Sequence, residues 1–151
     1  MNKRRTTLKL GEAYSFAASG RLPEIKPYMN AHVVREIEYF LKTYDLMPKL
    51  YLAYDRIAYF EKGNADLRIS FDTNIRSRRY DLRLERSDYG KKLLGGGVYL
   101  MEIKTSIAKP LWLTHALSGL NIKRVSFSKY GTGYRNMISA KNSGFEYDMA
   151  M

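Results

Sequence analysis

"YLAYDRIAYFEKGNADLRISFDT", residues 51–73, is the stretch whose reading decides the fold. Its first part, through Phe60, is rich in tyrosine and extended in character. "EKGNAD" then supplies a turn signal at Gly63-Asn64. "LRISFDT" alternates, with Leu67, Ile69 and Phe71 on one face and Arg68, Ser70 and Asp72 on the other. The stretch reads as two antiparallel strands. A clean two-residue loop at Gly63-Asn64 would put Arg56 and Arg68 on opposite faces. An odd-length loop, or a bulge, would bring Arg56 opposite Ser70 or Asp72 and make one polar wall of Arg56, Arg68, Ser70 and Asp72. Gly63 and Asn64 tolerate the left-handed backbone that such a loop needs, so the odd loop or bulge is expected.

Downstream, "RRYDLRLER" alternates again and reads as a strand. "YGKKLLGGG" reads as a loop, and its glycines lack the lysine and serine of a phosphate-binding P-loop. "VYLMEIKT" reads as another strand, with Glu102 and Lys104 on the face of Leu100. "KPLWLTHALSGL" reads as a helix from Pro110 to Gly119, with Trp112 in the core and His115 on the surface. Upstream, "NKRRTTLKL" reads as a short strand and "GEAYSFAASG" as a short helix closed by Gly20. "AHVVREIEYFLKTYDL" is the clearest helix, with Val33, Ile37, Phe40 and Leu41 at helical spacing and Asn30 as N-cap. The basic run from Arg76 to Arg79 reads as a solvated loop, and the tail from Gly144 as frayed. The sum is an α+β chain: a mainly antiparallel sheet flanked by helices, one domain over residues 1–151.

Composition narrows the function. Twenty-six Lys plus Arg face 15 Asp plus Glu, a formal +11, which points to an anionic partner. With no cysteine, disulfides and thiolate metal sites are excluded. Two isolated histidines, His32 and His115, argue against a zinc site. No apolar run is long enough to span a bilayer, and Lys9 and Glu12 break any signal-peptide core, so a cytoplasmic protein is expected.

Charge also alternates along the strands. A solvated outer face is the plain account of Arg68, Asp72, Glu102 and Lys104. A groove lined with Arg, Lys and a carboxylate would instead cradle a polyanion through charge-assisted hydrogen bonds. "SFSKY" brings Ser126, Ser128 and Lys129 together, either as a phosphate clamp or as the N-cap of a last helix.

"YLAYDRIAYF", "LRISFDT", "YLMEIK", "KPLWL" and "SFSKY" occur in an order and spacing that resembles the VTC domain, the polyphosphate polymerase module of the CYTH-like triphosphate tunnel metalloenzymes. The resemblance spans about Lys3 to Tyr130 and corresponds to the C-terminal portion of that domain. It implies part of an antiparallel tunnel barrel that holds polyphosphate, ATP or another triphosphate. It implies Arg56, Arg68, Lys104 and Lys129 as catalytic positions, with Ser128 beside Lys129 as a phosphate contact. It makes Lys3 and Arg5 further phosphate-contact candidates and Glu102 the ligand of a divalent Mn or Mg ion. The activity implied is transfer of the ATP γ-phosphoryl group to polyphosphate. The alternatives are a CYTH-type triphosphatase and a non-catalytic module for polyanions or nucleic acid, with nucleic acid the weaker partner. The absence of the domain's first strands leaves synthesis by this chain alone unexpected. Open strand edges would then favour pairing with another copy.

Overall fold

The computed structural model describes residues 3–106 and 108–142, and they form two compact units, Met1–Pro48 and Lys49–Met151. The first unit holds α1 (Leu10–Ser19) and α2 (Ala31–Thr43). Gly20 ends α1 with φ 64°, and the Asn30 side chain accepts a hydrogen bond from the Val33 N–H to cap α2. Phe16, Met29 and Val34 form a small buried core, with Leu8, Ile37 and Leu41 packed against it. Phe40, expected on the buried stripe, is half exposed, because Val34 occupies the covered side instead.

Residues 3–9, expected as a strand, have no regular structure. A strand needs a ladder partner for its backbone groups. Here the Thr6 hydroxyl accepts from the Asn30 N–H and Leu8 packs on the core, so the segment serves as a strap within its own unit.

The second unit holds β1 (Tyr51–Glu61), β2 (Asn64–Arg78), β3 (Lys91–Lys92), β4 (Leu100–Lys104), α3 (Leu111–Gly119) and α4 (Lys129–Asn142). The four strands form one antiparallel sheet in which β2 is central. One edge of β2 pairs with β1, and the other pairs with β4 along Arg68–Asp72 and with β3 at Arg76–Ser77. Among the described residues no strand closes this open sheet into a barrel.

The β1–β2 connection carries the expected bulge. Its turn residues are Lys62 and Gly63, one position earlier than the sequence suggested, and Gly63 has φ 79°. Glu61 faces Asn64, but the register then shifts so that Phe60 faces Arg68 and Arg56 faces Asp72. A second irregularity, between Ala53 and Asp55, lies where Asn74 adopts φ 48°. It reverses parity along β2, so Ser77 shares the face of Asp72, while Arg76 and Arg78 turn to the opposite face.

Three further expectations are corrected. Residues 79–90 form a loop rather than a strand. Arg78 is 3% exposed, so the basic run is not a solvated loop. Its guanidinium donates to the carbonyls of Asp81, Arg83, Ser87 and Tyr89 and lies between the Tyr51 and Tyr89 rings. One buried cation thus satisfies the carbonyls of a segment that would otherwise have needed a ladder. Trp112 is 54% exposed, and Leu113 is the residue of α3 that is buried. The tail from Gly144 lies outside the described residues.

Candidate functional site

Register alone assembles one face of the sheet. Arg56, Asp72 and Leu100 form one rung, Ala58, Ser70 and Glu102 the next, and Phe60, Arg68 and Lys104 the third. Arg56, Arg68, Glu102 and Lys104 therefore share a face, although they come from three strands. α4 adds Lys129, whose Nζ lies 2.6 Å from Asp72 Oδ2. Gly133, one turn further along α4, permits this approach. A Cβ there would come within 2.8 Å of Leu50 Cδ2 and 3.3 Å of Ser77 Oγ.

Asp72 is the centre of this face and is fully buried. Arg56 meets it with two parallel bonds, Nε to Oδ1 at 2.6 Å and Nη2 to Oδ2 at 2.8 Å. Burial alone would raise the Asp72 carboxyl. The hydrogen bonds from Arg56 and Lys129 outweigh it and hold the group below the ordinary aspartate value. The Asp72 bond in turn raises the Arg56 guanidinium above its already high value. The Tyr54 ring completes the arrangement, with Arg56 Cζ 5.0 Å and Lys129 Nζ 4.8 Å from its centroid.

Glu102 lies at the open side of the cluster, with its side chain 37% exposed. Lys104 Nζ is 3.0 Å from one carboxylate oxygen and Arg56 Nη2 is 3.5 Å from the other. The Lys104 hydrogen bond is the main reason its carboxyl sits below the usual glutamate value. Among the described residues no three acidic or histidine side chains converge as a ready-made metal cage. Glu102 thus stands as a single carboxylate between two cations.

Arg68 shares this face and has no ion pair with a described residue. Ser128 caps α4: its hydroxyl accepts from the Gly131 N–H at 3.1 Å. Its oxygen is thus engaged by the helix, although the site still stands at a helix start. Lys3 and Arg5 are exposed and belong to the first unit, whereas the sheet belongs to the second.

Two participants were not among the expected site residues. Asp72 had a signal, since it alternates with Arg68 and falls opposite Arg56 once a bulge is allowed. Tyr54 had a weaker one, two residues before Arg56 and therefore on the same strand face.

The model of the VTC domain family matches residues 1–138. The chain belongs to this family. Membership points to a polyphosphate-related function for this VTC domain. No curated protein matches it. None of its described helices is long and apolar enough to cross a membrane.

Proposed function

We propose that this VTC domain binds polyphosphate or a nucleoside triphosphate on the Arg56–Arg68–Lys104–Lys129 face, together with a divalent Mn or Mg ion at Glu102. The observation that carries the reading is the shared face: four cations from β1, β2, β4 and α4 surround two carboxylates, one buried and one at the open side. Asp72 holds Arg56 and Lys129 in place. Arg68 and Lys104 present charge beside them. Such fixed cations favour a linear phosphate chain over a single ion, because several phosphates can be neutralised at once.

The reaction class is phosphoryl transfer. In the completed domain the bond between the γ-phosphorus and its β-bridging oxygen breaks, and a terminal polyphosphate oxygen forms the new bond. ADP leaves and the chain grows by one phosphate. No protein nucleophile is needed, because positioning and charge neutralisation supply the catalysis. Arg56, Arg68, Lys104 and Lys129 orient the chain and offset charge on its oxygens. A bound divalent ion adds further charge neutralisation.

The outer edge of β1 has no partner strand among the described residues. In this reading further strands pair there, from a longer form of the domain or from a second copy, and turn the open sheet into a tunnel of the CYTH-like kind. The protein then acts in the cytoplasm on a soluble polyanion.

Calorimetry at one fixed salt concentration tests the binding claim, since affinity for a polyanion depends steeply on salt. Tripolyphosphate is expected to bind more tightly than single-stranded DNA of equal charge, and Mg or Mn to strengthen it. Equal affinities with no metal effect would replace this reading with a generic basic module.

A further inference from the structure

A second concave site lies beside α4, outside the cluster around Asp72. It is a cavity of about 300 Å³, at the lower end of the range typical for small-molecule sites. Tyr80 and Tyr89 form one wall, their ring centroids 6.1 Å apart. Leu93 and Met137 supply apolar surface, and Asn136 of α4 supplies an amide. Arg78, Arg79 and Lys91 also line it, while no described Asp or Glu does.

That charge imbalance is unusual because Arg78 is buried. A buried guanidinium is ordinarily neutralised by a carboxylate. Arg78 makes no ion pair with a described residue; its donors go to backbone carbonyls, which satisfy its hydrogens and leave its net charge in place. Cationic side chains thus line the cavity next to the aromatic rings, and the Asp81 carboxylate behind that wall is held by the Tyr89 hydroxyl.

We propose that this cavity is a binding site for a nucleoside monophosphate. The base lies against the exposed Tyr80 ring and its Tyr89 neighbour, as bases do on aromatic platforms. The phosphate is held by Lys91, within the field of Arg78. Arg78 is a positioning residue: it fixes the carbonyls of the 81–89 loop, and through them the two tyrosines. The site does not depend on the cationic face around Asp72.

Calorimetric titration of AMP, adenosine and inorganic phosphate, each at the same fixed salt, tests the proposal. AMP is expected to bind more tightly than adenosine or phosphate alone. Tyr80→Ala and Lys91→Ala, both at exposed side chains, are each expected to weaken AMP about tenfold, the scale of one lost base stack or one lost charge contact. Lys123→Ala, which removes an exposed charge outside the cavity lining, is expected to leave AMP affinity unchanged. Circular dichroism of each variant confirms that the fold is kept. AMP binding no tighter than adenosine or phosphate would overturn the proposal. So would AMP binding that Arg68→Ala abolishes while Tyr80→Ala and Lys91→Ala leave it intact, because the ligand would then occupy the other face.

Discussion

Asp72 has no exposed surface, and Arg56 and Lys129 both converge on it, with the Tyr54 ring beside the two cations. Replacing it by asparagine would leave two partly buried cations without their anion. Breaking a buried pair in this way costs about 3 kcal/mol or more. Asp72→Asn is therefore expected to lower the urea unfolding midpoint at pH 7 markedly, with an unchanged m-value. The pH dependence follows from the same geometry. The carboxyls of Asp72 and Glu102 sit below their ordinary values in the folded chain, and that of Glu12 is lowered to about 2 by Lys26, the Lys9 N–H and Tyr28. A depressed carboxyl contributes stability that is present above its unfolded value, about 4, and is lost as pH falls through the folded one. Unfolding midpoints should thus hold above pH ~5 and drop between pH ~4 and pH ~2. Asp72→Asn should flatten that drop, and a parallel drop in variant and parent would remove Asp72 from the account.

At the scale of elements, two short devices set the site: the bulged β1–β2 turn and the capped start of α4. Gly63 sits at φ 79° with open space where a Cβ would go, so Gly63→Ala carries only the backbone penalty, about 1 kcal/mol. Ser128→Ala removes the cap and should cost about 1 kcal/mol without any ligand present, whereas Ser128→Gly should cost only a few tenths. Thermal unfolding of the three variants checks both. If Ser128→Ala unfolds like the parent and loses only phosphate affinity, the hydroxyl is a ligand contact and not a cap. The turn and α1–α3 were legible in the sequence, because Gly20, Asn30, Pro110 and the alternation around Arg68 are local signals. The 79–90 loop was not. Tyr80, Leu82 and Leu84 alternate as a strand would, but Arg78 takes the carbonyls on which a ladder would depend, and Asp81 turns to φ 46°. That competition is tertiary and leaves no periodic trace. Trp112 misled for a related reason: burial tendency is an average over proteins, and α3 turns Leu113 inward instead.

At the scale of the whole molecule, the excess of 26 basic over 15 acidic residues predicts an anionic partner but not where it binds. Sheet register supplies the location. Arg56, Arg68 and Lys104 are each ordinary strand charges alone; paired rungs bring them onto one face with Glu102. Loop parity places Arg56 and Arg68 on one wall from the sequence alone, whereas the Asp72–Lys129 pair depends on α4 returning over the sheet from more than fifty residues away in sequence. The central claim is that this face, and not the overall charge, binds the phosphate chain. Tripolyphosphate calorimetry on Arg68→Ala and Arg83→Ala, at one salt concentration, tests it most directly, because both variants remove one positive charge and only Arg68 lies on the face. Arg68→Ala is predicted to weaken binding about tenfold, the worth of one charged hydrogen bond, with Arg83→Ala within about twofold of the parent. Equal losses in the two variants would contradict the account.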